Sequence, residues 1–172
     1  SLISPLQIPS DFFDVEMAER KRYFCYPPYG LGLVARELKA VGFEVNIVDL
    51  NHAVLSNIDD FVANRENFEK EFLCKSLEEH MPDIVGVTCM FTITHESFSQ
   101  TIRQIKSFNK DIVIFAGGVH ITNDPGRIKE EIPEIDFLIP HESESRFVKL
   151  LTALNSYLRE LSVDKIQNSS QG

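Results

Sequence analysis

Ile84-Val85-Gly86-Val87-Thr88 is a five-residue run without a charge, entered through Pro82-Asp83 and left through Cys89. It is too short for a core helix and apolar at alternate and adjacent positions alike. A strand buried on both faces, as in the middle of a parallel sheet, has that composition. Downstream, Cys89 to Thr94 reads as a loop and His95 to Phe108 as a helix. A second apolar run follows, Asp111-Ile112-Val113-Ile114-Phe115-Ala116, broken at once by Gly117-Gly118. Asp124 to Glu131 reads as a short helix with Pro125 near its start. Asp136-Phe137-Leu138-Ile139 is a short fifth strand. Glu142 to Leu161 is a closing helix with Phe147, Leu150, Leu151, Leu154 and Leu158 on one face.

Upstream of the central run, Asn51 to His80 carries helical periodicity and many charges. It predicts a pair of helices whose apolar face holds Ile58, Phe61, Val62, Phe68, Phe72 and Leu77. Glu44 to Asp49 reads as a strand rich in β-branched residues. Before it, Leu31, Val34, Leu38 and Val41 recur at helical spacing, and Gly42 supplies the left-handed stop. Tyr26-Pro27-Pro28-Tyr29-Gly30 reads as a rigid turn, because proline fixes φ. Asp11 to Tyr23 is a short helix or a loop. Leu2-Ile3-Ser4-Pro5 is the end of a first strand, stopped by proline.

Strands alternating with helices imply parallel βαβ units with right-handed crossovers. Five strands suit a three-layer α/β fold, a doubly wound parallel sheet in the flavodoxin-like order 2-1-3-4-5. One domain over residues 1–161 is expected, with 162–172 a polar tail or the start of a linker.

The bulk numbers limit the function classes. A chain of 172 residues with 43% hydrophobic and 25% charged residues suits one globular domain. The formal net charge of −9 argues against a generic phosphate-backbone binder, so nucleic acid is not an expected partner. No apolar run approaches the roughly 20 residues that cross a bilayer, and the start lacks the features of a signal peptide. Neither a membrane nor export is expected. The absence of an initial Met suggests processing, or a piece of a longer protein. Cys25, Cys74 and Cys89 are odd in number and far apart, without metal-cluster spacing, which predicts a reducing cytoplasm.

Open α/β sheets bind ligands beyond the carboxyl ends of their strands. The loops there contain Tyr26 to Gly30, Asn51-His52, Thr88 to Thr94, Gly117 to Thr122 and His141 to Glu144. Gly117-Gly118 permits close approach of a ligand to exposed amides, or simply a tight turn. Thr88 offers a hydroxyl. Met90 offers a polarizable surface for a large ring, or plain core packing. Cys89 reads as a buried, inert thiol. His120 and His141, with Glu142 and Glu144, make a conceivable His/carboxylate cluster, but no HExxH-type spacing marks a metal site. Asp49 ends the second strand where a dinucleotide-binding protein places its ribose acid, yet no glycine fingerprint accompanies it.

Taken in order, these pieces resemble the N-terminal cobalamin-binding domain of cobalamin-dependent radical S-adenosylmethionine enzymes. The carriers are Pro27-Pro28-Tyr29-Gly30-Leu31 opening a helix, Asp49-Leu50, Pro82-Asp83-Ile84-Val85-Gly86-Val87-Thr88-Cys89-Met90, and Gly117-Gly118-Val119-His120-Ile121-Thr122. The resemblance implies a corrinoid over the strand ends, with its nucleotide tail beside the sheet near Thr88, Met90 and the glycine pair. It implies a cofactor-binding set of Tyr29, Gly30, Thr88, Cys89, Met90, Gly117, Gly118, Val119, His120, His141 and Glu142. It also implies a C-terminal radical catalytic domain in the parent protein, acting in methyl transfer or cyclisation.

That partner domain would carry the iron–sulfur cluster and S-adenosylmethionine, since this chain has no Cys-x3-Cys-x2-Cys motif. The Asp-x-His-x-x-Gly motif that supplies a lower cobalt ligand in the mutase-type domains is absent too. After the last strand the family usually reads Gly-Glu-Gly-Glu, whereas this chain has His141-Glu142-Ser143-Glu144. On that departure, an interaction module without corrinoid, or a flavodoxin-like FMN binder, stays open.

Overall fold

Ile84–Thr88 and Val113–Gly117 lie side by side in parallel, in register from Ile84 opposite Val113 to Thr88 opposite Gly117. This pair is the centre of the sheet. The structure is a computed structural model and describes residues 1–8, 12–20, 22–23, 25–141 and 147–156. The chain runs β1 (Leu2–Ser4), α1 (Val15–Glu19), α2 (Tyr29–Ala40), β2 (Ile47–Asp49), α3 (Leu50–Ser56), α4 (Ile58–Ala63), α5 (Phe68–His80) and β3 (Ile84–Thr88). It continues through α6 (His95–Phe108), β4 (Val113–Gly117), α7 (Val119–Asn123), α8 (Pro125–Glu131) and β5 (Phe137–Ile139). A further helix, α9, covers 147–156. The five strands pair in parallel in the order β2-β1-β3-β4-β5, as expected.

Each face of the sheet has its own core. On one, Val34, Ala35 and Leu38 of α2 and Phe147 and Leu151 of α9 cover Leu2, Phe115 and Ile139. On the other, α3 to α8 cover Ile3, Val85, Val87, Ile114 and Ala116. The alternation of Phe115 to one side with Ile114 and Ala116 to the other explains why β4 tolerates no polar residue. Phe98, Ile102 and Ile105 of α6, spaced at three and four, are wholly buried against the second face. Burial of side chains this size stabilises by about 1.5–3 kcal/mol each.

Several boundaries differ from the sequence reading. Tyr29 and Gly30 belong to α2 rather than to a turn, because the Pro28 carbonyl already accepts from the Gly32 amide at 3.0 Å. The crossover before β3 holds three helices, not two. Asn57 and Asn64 interrupt it with non-helical backbone, and Val62 faces outward. β2 begins only at Ile47. β4 starts two residues late and takes in Gly117. The short helix α7 was not expected. Of the closing helix, residues 142–146 and 157–161 lie outside the described residues, as do Leu158 and the whole polar tail.

Candidate functional site

The carboxyl ends of the strands share one edge of the sheet, and the loops there are tied to one another. The Cys89 amide donates to the Gly117 carbonyl at 2.8 Å, and the His120 amide donates to the Cys89 carbonyl at 3.1 Å. Gly118 sits at φ +115°, a conformation L side chains rarely adopt. A Cβ there would come within 2.9 Å of the Cys89 carbonyl carbon and closer still to its oxygen. Gly118 is thus explained first by contact between two loops.

From this base the chain presents an apolar rim. Met90, Phe91 and Ile93 from the loop after β3, and Val119 from the start of α7, are all exposed large hydrophobic residues. On the β1 side, Tyr26 and Tyr29 are exposed as well. Gly30 lies in the first turn of α2, with nothing within 4 Å of where a Cβ would stand. Thr88 is half-buried at the end of β3. Cys89 is buried, its thiol beside Thr94 Oγ1 and the Phe91 carbonyl, each at 3.5 Å. Burial pushes this thiol upward, so it is poorly nucleophilic, as expected.

His120 and His141 do not meet as a pair in any hydrogen bond found among the described residues. The His120 ring instead faces Thr92 Oγ1, 3.2 Å from Nδ1, and His95 Nδ1, 3.0 Å from Nε2. Both ring nitrogens are therefore engaged. Burial, then His95 and Arg127, hold this imidazole below its ordinary range. Among the described residues no group of three His, Cys, Asp or Glu side chains is placed to hold a metal. His141 takes a positive φ of 66°, and its amide donates to Thr122 Oγ1 at 2.7 Å. Thr122 in turn donates to the Gly118 carbonyl at 3.1 Å. This threonine ties the glycine turn to the exit of β5. Glu142, Ser143 and Glu144 lie outside the described residues.

Asp49 is a helix cap. Its Oδ1 accepts from the Asn51 amide at 3.0 Å and from Asn51 Nδ2 at 2.9 Å. Asn51 also donates to the Pro5 carbonyl and accepts from the Gln7 amide, pinning the loop after β1. Beside it, Leu6, Phe13, Tyr23, Cys25 and Tyr26 line a crevice. Burial and the neighbouring Asp49 carboxylate, 3.8 Å away, push the Cys25 thiol upward.

Beneath the rim both faces of the sheet are filled. On the α9 side the rings of Phe115 and Phe147 meet edge to face, 5.0 Å apart at 72°. A group threading down this face beside β4 would have to part them.

Sequence reading missed His95, and Glu131, whose Oε2 lies 3.1 Å from His95 Nε2; Phe91, Thr92 and Ile93 lay within the expected Thr88 to Thr94 loop but were not singled out. His95 and His120 are 25 positions apart, and only the fold brings them together. Phe91 and Ile93 carried a usable signal: two large apolar residues within a strand-end loop.

Comparison with known proteins places the chain. Residues 18–151 match the family described as B12 binding domain. The chain is 26% identical over 137 residues to a cytidylyl-2-hydroxyethylphosphonate methyltransferase of Streptomyces wedmorensis, which covers 76% of this chain and 25% of that protein. It is 27% identical over 130 residues to an uncharacterized methyltransferase of Pyrococcus horikoshii, covering 75% and 25%. It is 28% identical over 131 residues to an anaerobic magnesium-protoporphyrin IX monomethyl ester cyclase of Rubrivivax gelatinosus, covering 76% and 21%. The chain thus spans a quarter or less of each relative's length.

Proposed function

This chain belongs to the B12-binding domain family, and we propose that it seats cobalamin on the apolar rim at its strand ends and offers it to a radical S-adenosylmethionine catalytic domain. Cobalamin is the cofactor that the family implies. Of the three readings left open by the sequence, the corrinoid reading is the one this membership supports.

The residues present fit such a group. A corrin is broad and largely apolar in its faces, and it needs a shallow seat with few side chains rising through it. Met90, Phe91, Ile93 and Val119 supply exposed apolar surface, and Gly30 leaves open space over the first turn of α2. This rim is the observation that carries the proposal.

When bound, cobalamin supplies a cobalt centre able to carry a methyl group or an electron. The chain's own share is placement. Met90 and Val119 would pack on the lower face, with Thr88 and the half-exposed Gly117 at the seat's inner edge. Gly118 would act indirectly, by holding the two loops at one height. Cys89 and His120 would do the same from below, since the Cys89 thiol is buried and the His120 ring is engaged at both nitrogens. Tyr29 and Gly30 would bound the seat on the α2 side, and His141 and Glu142 on the β5 side. The wet periphery of the macrocycle would meet the backbone amides of these loops.

The parent protein's reaction is proposed as methyl transfer or cyclisation. The support is that two of the relatives are named methyltransferases and a third a cyclase, the matched segment being 25%, 25% and 21% of their lengths. The domain boundary is proposed near residue 161, ahead of a linker. The test is the reading frame beyond Gly172: a Cys-x3-Cys-x2-Cys motif supports a radical partner domain, and a frame that closes without one contradicts it.

A further inference from the structure

Among the described residues, two that are not glycine take a positive φ: Met81 at 41° and His141 at 66°. Met81 closes α5, where a left-handed residue is an ordinary helix end, and its amide still reaches the Leu77 carbonyl at 2.8 Å. His141 closes no helix. It lies two residues past Ile139, the last residue of β5, which pairs in register with Gly117 of β4. Positive φ is costly for a residue with a Cβ, so the surroundings have to hold it there. Thr122 does so.

The direction of each bond about Thr122 is fixed by its partners. The His141 amide can only donate, so Thr122 Oγ1 accepts from it, at 2.7 Å. The Gly118 carbonyl can only accept, so the Thr122 hydroxyl donates to it at 3.1 Å, beside the Thr122 amide, which donates to the same oxygen at 3.1 Å. One hydroxyl thus joins the turn after β4 to the exit of β5. Gly118 is itself braced against the Cys89 backbone, so the loops after β3, β4 and β5 are linked in series. Val119 of the rim stands within this series, with Gly118 before it and Thr122 after it. The α7 helix has five residues and starts without a capping side chain. A helix that short has no stability of its own, so its pose depends on these end contacts and on the buried His120 and Ile121.

We infer that Thr122 is a positioning residue for the seat: its hydroxyl holds His141 at positive φ and fixes α7, with Val119 on it, and so sets the wall of the seat on the β5 side. Without the hydroxyl, His141 relaxes toward negative φ, the exit of β5 parts from α7, and Val119 loses its fixed height. A glycine in place of His141 would need no such hold, because glycine adopts positive φ without strain. The effect of Thr122 therefore depends on which residue stands at 141. The tie is a property of this chain alone. Only its effect on a bound corrinoid rests on the function proposed above.

Amide hydrogen exchange of the nitrogen-15-labelled full chain reads the tie without any corrinoid. Thr122→Val keeps the shape and removes the hydroxyl, Thr122→Ala removes both, and Thr122→Ser keeps the hydroxyl. The His141 amide should exchange about tenfold faster than in the wild type in the first two, and within about twofold of it in the third. An unchanged His141 exchange rate in Thr122→Val and Thr122→Ala would overturn the inference.

Titration of the same proteins with hydroxocobalamin, followed by its visible spectrum, gives the second readout. The dissociation constant should rise about tenfold in Thr122→Val and stay within about twofold of the wild type in Thr122→Ser. In a His141→Gly background, Thr122→Val should cost less than about threefold. Lost packing alone would weaken binding equally in both backgrounds, so an equal loss contradicts the positioning role. So does a wild type that binds cobalamin no more tightly than Thr122→Val. A wild type that binds no cobalamin would count against the proposed function instead, with the exchange rates still deciding the tie.

Discussion

The α-carbon of Gly118 packs against the backbone of Cys89, so closely that a side chain at 118 would strike the Cys89 carbonyl. The loops after β3 and β4 are held at one height by this contact and by the two backbone hydrogen bonds beside it. Gly118→Ala should therefore cost about 2–4 kcal/mol, from forced backbone strain and the clash together. Chemical denaturation measures it. A loss under about 0.5 kcal/mol would show that the loops part freely.

Gly30 predicts the opposite behaviour. A Cβ there meets nothing, and alanine is the better helix former by up to about 1 kcal/mol. Gly30→Ala should leave stability unchanged or raise it. Gly30→Leu should fold equally well and yet retain less cobalamin on a desalting column. Unchanged retention would take the first turn of α2 out of the seat.

Glu69 predicts a pH dependence. Burial raises its carboxyl from the ordinary 4.5 to about 7. Below 4.5 it is protonated in both folded and unfolded chains, and stability is fully present. Between 4.5 and about 7 the folded form keeps a proton that the unfolded form releases, so stability falls as pH rises. Above about 7 the loss is complete. Relative to Glu69→Gln, the wild type should lose about 1–3 kcal/mol across this window. Parallel profiles for the two proteins would contradict the buried carboxyl.

The thiols predict an order of reactivity. Cys89 is buried and pushed upward by burial, whereas Cys74 is half-exposed. In native protein, iodoacetamide should modify Cys89 about 100-fold more slowly than Cys74, and denaturant should remove the difference. Equal native rates would mean that the loop after β3 opens readily.

The fold was legible where one local rule acted alone. Ile84–Thr88 and His95–Phe108 have the bounds that their apolar pattern predicts, because an all-apolar run and an i, i+3, i+4 stripe have no competing reading. The α7 helix was not legible: it starts from Gly118 at positive φ with no capping side chain. The extra break in the crossover sits at Asn57 and Asn64, residues that favour turns but had been absorbed into helical periodicity. In the candidate site, strand-end position singled out Met90 and Gly118, and the family resemblance added Val119. The tie between His95 and His120 was not legible, since a contact across two loops leaves no local pattern. The role of Asp49 stayed undecided in the sequence for a related reason. A strand-final acid binds a ribose or caps a helix with the same carboxylate, and only Asn51 in place decides between them.

The rim makes the most direct claim. Met90 is 44% and Val119 52% exposed, so Met90→Glu and Val119→Glu should change stability by no more than about 0.5 kcal/mol. A carboxylate beneath an apolar macrocycle should weaken its binding at least about tenfold. The measurement is a hydroxocobalamin titration followed by its visible spectrum, with co-elution on gel filtration, for the wild type and both variants. A saturable spectral change with co-eluting corrinoid in the wild type, reduced in both folded variants, is the predicted result. A wild type that neither alters the spectrum nor carries corrinoid through the column would contradict the account.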